Sequence, residues 1–148
     1  MKNVVDLAVR SADHQTKLIV EITAKREITS DWAVKLRRNV MAHGLPTTSS
    51  YFLLASPNRF YLWNKDSALS FTKAPDYEFD PEPMLKPYLK YIQSSLSELS
   101  QTSFEILVST WLSDLTTPGP GTSVGPGLLE SGLLDEIKNG SVEVETSF

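Results

Sequence analysis

The sequence contains no cysteine among its 148 residues. Disulfide bonds, zinc–thiolate sites, iron–sulfur clusters and cysteine nucleophiles are therefore excluded, and any metal ion must be held by oxygen or imidazole ligands. Long apolar runs are missing as well, since no stretch approaches the roughly 18 residues that cross a membrane. The first ten residues lack the apolar core of a signal peptide. We therefore expect a cytoplasmic protein that does not bind a membrane.

The composition is that of an ordinary globular protein. Apolar residues make up 41% of the chain and charged residues 22%, which is the usual range for a folded domain rather than a disordered or fibrous one. A chain of this length fits one domain and is short for two. We predict a single domain over residues 1–148.

The net charge of −4 is distributed unevenly along the chain. Residues 1–38 carry eight basic and five acidic side chains, a balance of +3, so the remaining residues carry −7. Because opposite charge attracts a ligand to one region of a surface, an anionic partner such as DNA is expected to approach the first quarter of the chain.

Hydrophobic patterning predicts a mixed α/β order in the first half. The predicted elements are a strand over 4–10, a strand over 17–24, a helix over 31–43, and a hairpin of strands over 51–56 and 60–63. Ser30 and Gly44 are the start and stop signals of the helix. Trp32, Leu36 and Val40 recur every four residues, which predicts the stripe that packs on the sheet.

The second half is predicted to be mainly helical. Residues 65–83 read as an irregular connection, and helices are predicted near 84–99, from 104 to 115, and near 128–138, with a final strand over 142–145. The proline- and glycine-rich run at 116–127 predicts a mobile loop. Together the two halves predict an α+β fold with a mixed sheet flanked by helices.

Polar residues follow one face of the second predicted strand. Alternate residues of a strand share a face, so Glu21, Thr23 and Lys25 should point away from Val20 and Ile22. Asp6 belongs to the preceding strand. Two carboxylates on neighbouring strands can hold a hard cation such as Mg²⁺, and a cation of this kind activates water for phosphodiester hydrolysis.

These residues carry a family resemblance. Asp6 in VDLAV is similar to the P-D motif of the PD-(D/E)XK nuclease superfamily, and Glu21 in IVEITAK is similar to its E-x-K strand. The helix that holds Trp32 and the run WAVKLRRN, followed by YFLL at 51–54, resembles small nuclease-like proteins of cyanobacteria and related bacteria. The resemblance is best over residues 3–63, and it implies a restriction-endonuclease-like core.

The resemblance also implies a set of site residues. Asp6, Glu21 and the backbone carbonyl of Ile22 would bind Mg²⁺ or Mn²⁺, and a lysine two residues after the glutamate would assist catalysis. Thr23 occupies that lysine position, and a lost transition-state stabiliser of this kind costs about a hundred- to thousandfold in rate. Lys25, one strand period further along, is the candidate replacement.

The basic residues of the first quarter are candidate contacts to nucleic acid. This set consists of Lys25, Arg26, Lys35, Arg37 and Arg38. The alternative is that these side chains are solvated ends and faces of regular elements, as basic pairs usually are. Aromatic residues could stack on bases, but at helix and strand spacing they are expected to be core: Trp32, Tyr51, Phe52, Phe60, Tyr61, Trp63 and Trp111.

Two functions remain open on these residues. The first is a metal-dependent endonuclease acting on DNA, with reduced activity because of Thr23. The second is a catalytically inactive domain of the same fold that serves as an interaction module or subunit. Family members usually begin with a helix before the P-D strand, whereas Asp6 lies close to the start of this sequence. We therefore expect a partner or a second copy, as in a homodimer, to cover that side of the sheet.

Overall fold

The chain forms a mixed sheet of six strands with helices on both faces, as the sequence predicted. The computed structural model describes residues 7–42, 50–65, 72–90, 92, 94–117 and 126–144. The strands are β1 (Leu7–Arg10), β2 (Thr16–Ile22), β3 (Tyr51–Ala55), β4 (Phe60–Trp63), β5 (Tyr77–Phe79) and β6 (Ser141–Val144). The helices are α1 (Ser30–Ala42), α2 (Glu82–Leu89), α3 (Gln101–Thr116), α4 (Pro126–Glu130) and α5 (Leu133–Ile137), with a 3₁₀ turn at Leu96–Glu98. Within these ranges no helix is long and apolar enough to cross a membrane.

The strand order across the sheet is β5-β4-β3-β2-β1-β6. Strands β2 and β3 are parallel, and every other neighbouring pair is antiparallel. Parallel neighbours cannot be joined by a tight turn, so the chain crosses between them through α1. This crossover brings α1 against the sheet beside the carboxyl end of β2.

The outer edge of β1 is paired by the carboxy-terminal strand β6. Leu7 lies opposite Val144 and Arg10 opposite Ser141, and the Arg10 Nε donates to Glu143 Oε1 at 3.0 Å. A Cβ at Gly140 would lie 1.8 Å from the Arg10 carbonyl oxygen, so the chain can enter β6 this closely only because that residue is glycine. The chain itself thus supplies the strand next to β1.

Helix α3 covers the face of the sheet opposite α1. The apolar residues that the sequence predicted for its packing face are buried: Phe104, Leu107, Val108, Trp111, Leu112 and Leu115. They pack with residues of β1 and β2 in one continuous core: Leu7, Val9, Leu18, Val20 and Ile22. The carboxy-terminal half of the chain thus covers this face of the sheet.

Helix α1 packs on the other face of the sheet. Its buried stripe is rotated by about one residue from the stripe that the sequence predicted. The buried residues of α1 are Ala33, Arg37, Val40 and Met41. Trp32 and Leu36, which were expected at the centre of that stripe, are only half-buried at its border. The sheet residues beneath α1 include Ile19, which lies on the same face of β2 as Glu21.

The connections differ from prediction in part. Within the predicted irregular segment 65–83, residues 77–79 form β5, whose Phe79 lies opposite Phe60 of β4. The predicted mobile loop 116–127 falls mostly outside the described residues, and its ends belong to helices α3 and α4. Gly132, with φ of 82°, separates α4 from α5, because the left-handed conformation that glycine adopts readily interrupts a helix.

Glu136 of α5 forms ion pairs that connect this helix to the sheet. Its carboxylate lies 3.6 Å from Lys17 Nζ on β2 and 2.8 Å from Lys65 Nζ. Burial raises the pKa of Glu136, but the hydrogen bond and charge of Lys65, with contributions from Tyr51 and Lys17, outweigh it, so the net pKa lies below the ordinary 4.5.

We expect Glu136→Gln to lower the free energy of unfolding by about 0.5–1 kcal/mol at neutral pH, as for other partly exposed ion pairs. Because the folded-state pKa is depressed, this contribution is complete above the unfolded-state pKa and is lost as the pH falls through the folded-state pKa. Urea titrations at pH 7 and pH 3.5 should therefore show a gap between wild type and variant that narrows in acid. A gap that is constant with pH would show that the charge of Glu136 is not what stabilises α5.

Candidate functional site

A cleft opens at the carboxyl end of β2, between α1 and the start of α3. Its volume is about 340 Å³. The end of β2 forms the floor, and the two helices form the walls. The lining side chains include Glu21, Thr23, Trp32, Leu36, Gln101 and Glu105. The cleft thus combines two carboxylates, one amide, one hydroxyl and an aromatic wall in a small space.

Glu21 is a buried carboxylate in this cleft. The side chain is 8% exposed, and it lies on the same face of β2 as Ile19, toward α1. The neighbours Val20 and Ile22 point into the opposite core, so the predicted division of the strand into two faces is confirmed. Glutamate is seldom this buried unless it is paired or coordinates a cation, because removing a carboxylate from water is costly.

The Ile22 carbonyl, the predicted backbone ligand, accepts a hydrogen bond from a residue that the sequence did not single out. Gln101 Nε2 donates to the Ile22 carbonyl oxygen at 2.9 Å, and Gln101 Oε1 accepts from the Ala24 N–H at 2.7 Å. The same Nε2 donates to Glu105 Oε2 at 2.7 Å.

Gln101 and Glu105 could not be assigned to this site from the sequence. They lie about eighty residues after Glu21 and match no motif of the resemblance. The one local sequence signal near them is the helix-capping residue Ser100, which begins α3 and whose side chain accepts a hydrogen bond from the Ser103 N–H. Their spacing of four residues places both on one face of the helix.

Thr23 is held by the backbone around it. Its N–H donates to the Ala55 carbonyl at 2.9 Å, and its hydroxyl oxygen accepts from the Lys25 N–H at 3.0 Å. The position at which the resemblance expects a lysine is therefore a neutral residue at the lip of the cleft, engaged in a local turn.

Lys25 reaches the cleft at its aromatic wall. The side chain is exposed, and its Nζ lies 6.0 Å from the centroid of the Trp32 ring, which is the outer limit of a cation–π contact. The predicted replacement lysine is thus directed to the rim of the cleft that contains Glu21.

Arg37, which was predicted to contact phosphate, lies in the core instead. The side chain is 2% exposed, and its guanidinium lies 5.1 Å from the centroid of the Trp63 ring, inside the core beneath α1. Burial lowers the pKa of Arg37, and the charge of Asp76 opposes that shift. A guanidinium in this position cannot meet the phosphate of a bound nucleic acid.

The other predicted phosphate contacts are at the surface. Arg26, Lys35 and Arg38 are exposed, as is Lys25. They lie on α1 or on the segment that leads into it. The neighbouring positions 37 and 38 therefore have opposite environments, one inside the core and one in solvent, because consecutive residues of a helix point in different directions.

Asp6 lies outside the described residues. The following residue, Leu7, pairs with Val20, which precedes Glu21 in the chain. Among the residues that the structure does describe, no three histidine, aspartate or glutamate side chains are grouped so that they could hold a metal ion.

Comparison of the chain with protein-family models, with curated proteins and with solved structures gives no match. The geometry of the cleft and the chemistry of its residues therefore carry the functional argument.

Proposed function

We propose that this chain is a nuclease-like domain of the PD-(D/E)XK type, which binds Mg²⁺ or Mn²⁺ at Glu21 and hydrolyses DNA phosphodiesters with low activity. The observation that carries the proposal is the burial of Glu21 at the carboxyl end of β2, in an open cleft beside a helix with exposed basic side chains. A buried acid in a cleft is a typical feature of a catalytic site.

The order of the elements supports the proposal. Strand β1 is antiparallel to β2, and β2 is parallel to β3 through the crossover helix α1. The resemblance over residues 3–63 implies a core in which two adjacent strands carry the acids and a helix follows. Glu21 follows Val20, the partner of Leu7, and the resemblance assigns the second acid to Asp6.

The donor set suits a hard cation. Glu21, the Ile22 carbonyl and Asp6 would supply only oxygen ligands, which Mg²⁺ and Mn²⁺ prefer. A bound cation would lower the pKa of an attacking water and offset the charge that develops on the phosphate. Lys25, Lys35 and Arg38 would hold the phosphates of the strand next to the cleft, because exposed basic side chains provide the non-specific part of DNA affinity.

Low activity follows from Thr23. A neutral hydroxyl cannot stabilise a charged transition state as an ammonium does. The loss of one stabilising group of this kind lowers the catalytic rate about a hundred- to thousandfold. Lys25 lies at the rim over Trp32, where it is better placed to bind a phosphate than to orient water at Glu21.

A catalytically inactive interaction module is the second candidate. It is favoured by one observation: Gln101 already donates to the Ile22 carbonyl that a cation would need. Gln101 also links Glu105 to the β2 backbone, and this network stabilises the cleft. In that case the cleft would recognise a partner, and the exposed edge of β6 would be a candidate surface for a second copy.

Cleavage of supercoiled plasmid and of single-stranded DNA, with Mg²⁺ or Mn²⁺, tests the proposal. We expect slow, metal-dependent cutting by the wild type and none by Glu21→Gln, which keeps the shape of the side chain and removes its charge. Glu130→Gln, the same substitution at an exposed position of α4 that does not line the cleft, is the matched control for the loss of a carboxylate. No cutting by the wild type at high protein concentration would exclude the nuclease and leave the interaction module.

A further inference from the structure

The three tryptophans of the chain have different environments. Trp63 and Trp111 are both 0% exposed and belong to the two cores. Trp32 is half-buried and forms a wall of the cleft. The prediction that aromatic residues are core is therefore confirmed for Trp63 and Trp111, whereas Trp32 packs at the border of the core and also presents its side chain to the cleft.

We infer that the cleft binds one unpaired, amino-bearing nucleobase, stacked on Trp32, and that single-stranded DNA is the form of nucleic acid recognised. The inference rests on the proposed function, because it names the substrate of the same site. The first observation that supports it is the size of the cleft. Its volume of about 340 Å³ is near the lower limit for ligand pockets, which range over roughly 300–1,000 Å³. It can admit a single base that has left its stack, but not a base pair within a duplex.

The Trp32 ring is already in contact with a side chain that a bound base could replace. Lys25 Nζ lies 6.0 Å from the ring centroid, at the outer limit of cation–π attraction. A base stacked on the indole would displace this ammonium outward, where it can meet the phosphate of the same nucleotide. Leu36 continues the apolar wall along α1. Stacking of this kind is the usual source of affinity for single strands.

The polar groups of the cleft favour a base that donates hydrogen bonds. Glu21 and Glu105 are carboxylates, and a carboxylate only accepts. Glu105 Oε2 accepts from Gln101, and a carboxylate has further acceptor positions. Cytosine presents an N4 amino group, which glutamate recognises, whereas thymine presents a carbonyl oxygen at the equivalent position. In the absence of a bound cation the acidic floor repels phosphate, so the base enters and its phosphate stays at the basic rim, whereas a cation at Glu21 would offset that repulsion.

Equilibrium binding to labelled oligonucleotides, without metal and in EDTA, tests the inference independently of cleavage. Oligo(dC) and oligo(dT) of equal length carry the same charge, and a duplex of mixed sequence is the third probe. We expect oligo(dC) to bind about five- to tenfold more tightly than oligo(dT), and both to bind more tightly than the duplex. Trp32→Leu should weaken oligo(dC) binding about tenfold, while Trp32→Phe should retain most of it.

Glu105→Ala provides a second variant that leaves the aromatic wall intact, and it should abolish the preference for oligo(dC) over oligo(dT). Equal affinity of the wild type for oligo(dC) and oligo(dT), tighter binding of the duplex, or no binding of any oligonucleotide would each overturn the inference. In each of those cases, metal-dependent plasmid cleavage by the wild type that is lost in Glu21→Gln would still support the proposed nuclease. Failure of the base-binding inference can therefore be distinguished from failure of the proposed function.

Discussion

Replacement of Thr23 by lysine is expected to raise the rate of metal-dependent DNA cleavage by about a hundred- to a thousandfold. Thr23 lines the cleft two residues after Glu21, so a lysine there would bring an ammonium to the developing charge on the phosphate. The substitution removes the hydrogen bond from the Lys25 N–H to the threonine hydroxyl, which should cost about 1 kcal/mol of stability. Initial rates of plasmid nicking under Mg²⁺ measure the gain.

Thr23→Met is the matched control, since methionine is also long and unbranched but carries no charge. It should lose the same hydrogen bond and gain no activity. If Thr23→Lys cleaves no faster than Thr23→Met, then the cleft does not hold a phosphodiester in a reactive position, and the relationship to PD-(D/E)XK nucleases is in doubt.

Truncation of Arg37 is expected to have the largest effect on stability. Arg37 is 2% exposed and packs against Trp63, so Arg37→Ala would leave a cavity beneath α1 and remove a charge that interacts with Asp76. We expect a loss of about 3–4 kcal/mol in the free energy of unfolding. Urea denaturation followed by tryptophan fluorescence measures this loss.

The adjacent Arg38 provides the control. Its side chain is exposed, so Arg38→Ala should change stability by no more than about 0.5 kcal/mol, while it weakens DNA binding. Arg37→Met, which keeps most of the buried volume, should cost less than Arg37→Ala and leave DNA binding unchanged. Equal stability losses at positions 37 and 38, or weaker DNA binding in Arg37→Met, would contradict the assignment of Arg37 to the core.

Local patterns in the sequence were enough to predict most of the elements. Strand β4 has the predicted bounds, and α3 buries the predicted apolar residues, because periodicity and cap residues act within a few positions of one another. Strand β5 was not predicted, since its three residues, 77–79, lie among prolines and acids and are stabilised mainly by pairing with β4. Such tertiary pairing leaves little trace in a short segment.

Alternation along β2 predicted that Glu21 lies on the opposite face from Val20 and Ile22, but it did not predict the residues around Glu21. Which of the two faces lies toward α1 depends on how the crossover helix packs. Gln101 reaches the same place only because α3 packs across the sheet, and no local pattern encodes that contact. For α1, periodicity gave the helix but missed its rotation by one position, because a basic residue such as Arg37 carries no hydrophobic signal even when its guanidinium stacks on a tryptophan.

Direct titration of Mn²⁺, followed by the decrease in its free electron paramagnetic resonance signal, tests the central claim that Glu21 belongs to a divalent-cation site. We predict binding of one Mn²⁺ per chain by the wild type, competition by Mg²⁺, and at least tenfold weaker binding by Glu21→Gln and by Asp6→Asn. Glu105→Gln should bind Mn²⁺ as the wild type does. Equal binding by the wild type and Glu21→Gln, or no binding by either protein, would contradict the claim and identify the cleft as a site for a partner rather than for a metal ion.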